Sequence, residues 1–86
     1  MTESDILVLF QAYRDLFDRS ADDSPEFAMS IAMSSEFFSR LQHPDYKMTF
    51  ADRENALLVL TDYISHHPLD SLPQQNLHRK LSSGVL

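Results

Sequence analysis

The chain has 86 residues, no cysteine, one glycine and a formal net charge of −6. That length bounds it to one domain, 1–86, and the missing thiols exclude a disulfide framework and any thiolate metal site. A single glycine is far below the average of about 7%, and without glycine for tight hairpins an all-β fold is disfavoured.

Helical signals begin at once. Thr2 with Asp5 reads as a capping box in which Asp stands in for the usual Glu or Gln. A first helix is expected over 3–19, with Ile6, Leu9, Phe10, Tyr13, Leu16 and Phe17 on its buried face. Arg14–Asp18 and Asp15–Arg19 are i, i+4 ion pairs on the solvent side. Val8 and Ala12 fall off this stripe and hint at a second, weaker contact surface.

The short polar link Ser20 to Asp23 favours an antiparallel hairpin into a second helix over 25–41. Ser24 fits its N-cap, Pro25 its first position and Glu26 its first turn. Phe27, Ile31, Phe38 and Leu41 mark one apolar face, and Ala28, Ala32, Ser35 and Ser39 form an adjacent row of small side chains. Met29, Met33 and Phe37 lie beyond that row. Charge is so sparse on this helix that it is expected at the centre of the bundle, with partners on at least two sides.

His43-Pro44 stops helix 2, and Pro44-Asp45 starts a turn. Tyr46 and Met48 are too apolar for a free loop and are expected to pack down. Thr49 with Asp52 repeats the capping-box pattern ahead of a third helix over 50–66. Its face is Phe50, Leu57, Leu60 and Ile64, widened by Ala56, Val59 and Tyr63, with Asp52, Arg53, Glu54 and Asp62 outward. A short fourth helix over 72–82, capped by Asp70 or Ser71, carries only Leu77 and Leu81 and is expected to dock lightly; Gly84 fits its stop.

The fold class is therefore all-α: a compact small bundle of three main helices plus a short C-terminal helix, helix 2 central. No stretch has a signal-peptide pattern, and apolar runs no longer than Ala56–Leu60 cannot cross a bilayer. A cytoplasmic protein without membrane partners is the expectation.

Chemistry is hard to find. His66-His67 project about 100° apart on a helix, and no HExxH or i, i+4 histidine pair is present, so no metal is expected. Without a GxSxG elbow, an SxxK pair or a glycine-rich loop, neither nucleophilic catalysis nor phosphate cradling has support, and no enzyme activity or cofactor is expected. Residues 1–70 hold all thirteen acids and five basic residues, net −8, whereas Arg79 and Lys80 leave the last sixteen at +2. Direct nucleic-acid binding is poorly served by this balance.

What remains is surface for another protein. The apolar residues exceed what three short helices hide, and Met29, Met33 and Phe37 are the candidate partner-binding face, unless helix 4 covers it. The expected function is a small non-catalytic interaction module, a regulator, adaptor or inhibitor that occupies a partner's surface. Homodimerisation through the small-residue row of helix 2 is part of that expectation. The alternative is an acidic nucleic-acid mimic, of the kind mobile elements use against host defence or transcription complexes. There Asp15, Asp18, Asp22 and Asp23 would stand in for phosphates.

Overall fold

The computed structural model describes residues 1–83 and contains four α-helices: α1 (Glu3–Ser20), α2 (Pro25–Leu41), α3 (Phe50–His66) and α4 (Leu72–Ser82). Gly84, the expected stop of α4, lies outside the described residues. The fold is the all-α small bundle expected, and the starts of α1, α2 and α3 are built as the sequence spells them, whereas Ser71 at the start of α4 makes no side-chain cap.

Thr2 Oγ1 accepts the Asp5 amide at 3.1 Å while Asp5 accepts the Thr2 amide at 3.3 Å. Thr49 and Asp52 repeat the reciprocal pair at 3.1 and 3.4 Å. Ser24 Oγ accepts from the Phe27 amide, with Pro25 at the first position. Each box satisfies donors that a helix N-terminus otherwise leaves orphaned.

α1, α3 and α4 pack on one another, whereas α2 packs on α1. Helix 2 is therefore not the centre of the bundle; α1 is the helix that packs firmly against all three others. Low charge made α2 look internal, but charge density does not set position when few neighbours are available. The molecule measures 37 × 33 × 19 Å, thin enough for two helix layers, each about 10 Å across. Its radius of gyration is 12.7 Å, against about 12 Å for a closed domain of this length.

The core runs through Leu9, Ala12, Ala56, Leu60, Leu77 and Leu81, with Tyr13, Phe37, Phe38, Val59 and Tyr63 around it. Helix 4 docks deeply, not lightly: Leu77 and Leu81 are each 1% exposed. Two leucines one turn apart suffice because they drop between α1 and α3. Gln74 is also buried and donates to Gln11 Oε1 at 3.3 Å, and Gln11 donates on to the Tyr63 hydroxyl at 3.2 Å. That polar relay joins α4, α1 and α3. Among the described residues no buried side-chain polar atom is left unpaired.

The buried stripes are rotated from those expected. On α1 the centre lies toward Ala12, the surface expected to be the weaker one, and Phe10 is left half-exposed. On α3 the face is Ala56, Val59, Leu60 and Tyr63. Phe50 lies roughly 130° round from the middle of that set, at 100° per residue, and is 75% exposed. Ile31, expected on the buried face of α2, is 40% exposed.

A polar clasp joins the C-terminal ends of α1 and α3. Arg19 donates to Asp15 at 2.9 Å, to Asp62 of α3, and to His66 Nε2 at 3.2 Å. Since a guanidinium can only donate and the Asp62 carbonyl can only accept, His66 carries its proton on Nδ1, 2.9 Å from that carbonyl. His67 stacks on Tyr63 with centroids 4.3 Å apart and reaches Asp15 at 3.3 Å. The neighbouring histidines thus serve different partners, and Asp62, expected to face outward, is half of an interhelical tie.

Candidate functional site

α2 is held to α1 by aromatic rings. Phe38 stands edge-on to Phe10 and to Tyr13, both at 5.3 Å, and Phe27 stands edge-on to Phe17 at 5.9 Å. Phe37 completes the cluster 6.2 Å from Tyr13. Such pairs add a modest increment beyond their buried area. Because these rings lie along one side of α2, the rest of its circumference is uncovered.

Two grooves result, one on each flank. The first, between α1 and α2, has a volume of about 540 Å³ and is walled by Phe10, Phe17, Ile31 and Phe38, with Ser35 and Ser39 at its lip. The row Ala28, Ala32, Ser35 and Ser39 is exposed throughout. The second, between α2 and α3, holds about 480 Å³. Its floor is Leu16, Phe17, Phe37 and Val59, and its two banks are Met33 and Leu58. Those bank residues are 65% and 69% exposed, and Met29 continues the α2 bank at 64%. Helix 4 lies on the far side, on α1 and α3, and does not cover this face.

The charges nearby are mostly committed. Glu36 is paired with Arg40 at 2.9 Å, and Arg40 sits 5.7 Å over the Tyr46 ring. Tyr46 donates to Asp52, and this hydrogen bond to a carboxylate holds the phenol above its usual range. Tyr13, at the base of both grooves, is pushed up to about 12, first by burial and then by the charge of Asp52.

Of the expected partner-binding residues, Met29 and Met33 are on the open face as proposed from their spacing. Phe37 is 5% exposed and belongs to the floor, where it packs and does not protrude. The four aspartates separate. Burial pushes the Asp15 carboxyl up, but hydrogen bonds from Arg19 and His67 outweigh it and hold that carboxyl low, inside the clasp. Asp18 pairs weakly with Arg14 at 4.0 Å. Asp22 is held low by hydrogen bonds from the Ser24 side chain and backbone, the latter at 2.8 Å, and remains exposed. With Asp23 and Glu26 it forms an acidic corner at the start of α2, one turn before Ser30 at the groove's edge.

Leu58 was legible but overlooked. It stands four residues from both Glu54 and Asp62, an apolar side chain in an otherwise outward, acidic row. Comparison with protein-family models, with curated proteins and with solved structures gives no match.

Proposed function

We propose that the chain is a non-catalytic protein-binding module whose α2–α3 groove receives an apolar segment of another protein. The observation carrying this reading is the pairing of Met33 and Leu58, two large apolar side chains left mostly in water on facing banks above an apolar floor. Burying such side chains is worth about 1.5–3 kcal/mol each, so a partner segment has a strong driving force. The acidic corner at Asp22, Asp23 and Glu26 suits a partner with basic residues flanking its apolar anchors.

The test is binding of a fluorescent amphipathic peptide of leucine and lysine, with a matched leucine–glutamate peptide as control. The lysine peptide should bind, lose at least tenfold on Met33→Asp, and weaken with salt and on Asp22→Lys with Asp23→Lys. Equal binding by the glutamate peptide, or indifference to Met33→Asp, would sink the reading. Solution mass across a concentration series tests a second copy as occupant: a salt-tolerant dimer lost on Met33→Asp puts another copy of this chain in the groove.

The acidic-mimic reading draws less support, because Asp15 is tied inward by Arg19 and His67 and Asp18 has Arg14 beside it. Two exposed aspartates and Glu26 make a short row for imitating a phosphate backbone.

A further inference from the structure

A cavity of about 880 Å³ is away from the α2–α3 groove, between the start of α1 and the α2–α3 connection. Its apolar wall is Ile6, Leu7, Leu41 and Met48, and its polar edge carries Lys47 and Arg53.

These two cations, like the exposed Arg79, have no carboxylate partner among the described residues, and of the three they are the ones that line this cavity. Arg14, Arg19, Arg40 and Lys80 are each paired with a carboxylate at 4.0 Å or less. Among the described residues Lys47 and Arg53 have no carboxylate partner and no side-chain hydrogen bond, and Arg53 is half-buried. A guanidinium partly withdrawn from water offers five donors that need acceptors. In a protein with thirteen acids and a net charge of −6, two unpaired cations at one cavity mark a local reversal of sign. Glu3 is the one acid in the lining, so the edge remains positive. Of the two acids adjacent to Arg53 on α3, Asp52 is taken up by the Tyr46 hydroxyl and the Thr49 amide, and Glu54 is exposed and outside the lining. That same bond, with Arg40 over the ring, fixes Tyr46 as a rigid part of the wall. The cavity's volume lies within the range of small-molecule sites, which bury most of a ligand against apolar walls and fix its orientation with a few polar groups.

We infer that this cavity binds a small amphiphile with one anionic head, an alkyl carboxylate being the simplest member. The head would meet Lys47 and Arg53, and the chain would lie along Leu7, Ile6, Leu41 and Met48. Arg53 can take a carboxylate through two parallel N–H donors, whereas Lys47 contributes a point charge. The site shares no wall with Met33 or Leu58, so it stands independently of the protein-binding reading.

The experiment is calorimetric titration of the full chain with dodecanoate, dodecanol and dodecyltrimethylammonium, each below its micelle-forming concentration. Dodecanoate should bind at least tenfold more tightly than the alcohol, and the ammonium should not bind. Lys47→Gln with Arg53→Gln should erase the preference for the acid. Lys47→Glu with Arg53→Glu should transfer it to the ammonium, which guards against mere loss of fold. Leu7→Asp, at a position 64% exposed, should weaken dodecanoate and dodecanol. Equal affinity for the three amphiphiles, no binding of dodecanoate, or a loss on Met33→Asp in place of the Lys47 and Arg53 changes would overturn the assignment.

Discussion

Residue for residue α2 is more apolar than α1, α3 or α4, yet it and the three-helix unit they form end in opposite states. The three-helix unit buries Leu9, Ala12, Ala56, Leu60, Leu77 and Leu81 almost completely and stitches its helices with the Gln74–Gln11–Tyr63 relay and the Arg19 clasp. α2 has a stronger apolar content but buries only Phe37 and Phe38. Burial depends on how many neighbours a helix has, and α2 has one principal neighbour. The surplus is left on the surface, and it is this face that is proposed for recognition.

The largest effects should come from cutting into the three-helix unit. Leu60 has no exposed surface, and Leu60→Ala should cost about 2–5 kcal/mol through lost burial and the remaining cavity. A domain of this size has only about 4–13 kcal/mol in all, so chemical denaturation should show a much earlier midpoint and amide exchange should accelerate in every helix. Phe38→Ala should divide the molecule instead. α2 should lose exchange protection because its ring contacts with Phe10 and Tyr13 go, while the amides around Leu60 and Leu77 retain theirs. Uniform loss of protection would show that the two regions unfold together.

Tyr13 lies on the seam between the regions, and pH probes it without mutation. Its phenol is pushed up to about 12 in the folded chain, so folding favours the neutral form. The stability linked to that shift is complete below the ordinary tyrosine value near 10 and is lost as pH rises through about 12. Burial raises Tyr63 and the bond to Asp52 raises Tyr46, so all three tyrosines act in the same direction. Tyrosinate absorbance should therefore rise late and together with unfolding; a titration finishing near 10 before any loss of helix would contradict the buried seam. Asp15 works at the other end of the scale. Its carboxyl is held low, so its contribution is present above the ordinary aspartate range and is lost as pH falls through the folded value.

The contrast also marks how far sequence carried. Capping chemistry is local, which is why Thr2–Asp5, Ser24–Pro25 and Thr49–Asp52 were readable from residue type and spacing. Which helix lies in the middle is a property of packing between elements. It placed α1 where α2 was expected, turned the α3 stripe away from Phe50, and seated Leu77 and Leu81 more deeply than a two-residue stripe suggests. The same limit applies to the groove. Met29 and Met33 were evident as a second apolar face, but only the placement of α3 sets Leu58 opposite them. The cavity at Lys47 and Arg53 joins the first turns of α1 and α3 to the link between α2 and α3, and no spacing along the chain announces it.

The smallest effect on stability should accompany the largest on recognition. Met33 and Phe37 are one turn apart on α2 and were equal candidates by spacing, yet one is 65% and the other 5% exposed. Met33→Asp places a charge where water already reaches, so its cost to folding should stay within about 0.5 kcal/mol. Phe37→Asp would put a carboxylate against Tyr13 and Phe38, with the neighbouring Arg40 already paired to Glu36, and should release α2. If the groove is the recognition surface, both variants abolish peptide binding, but only Phe37→Asp also changes amide exchange in α2. Should Met33→Asp loosen α2 as much as Phe37→Asp does, Met33 would be a structural residue, and the division of labour between the packed unit and the open helix would fail.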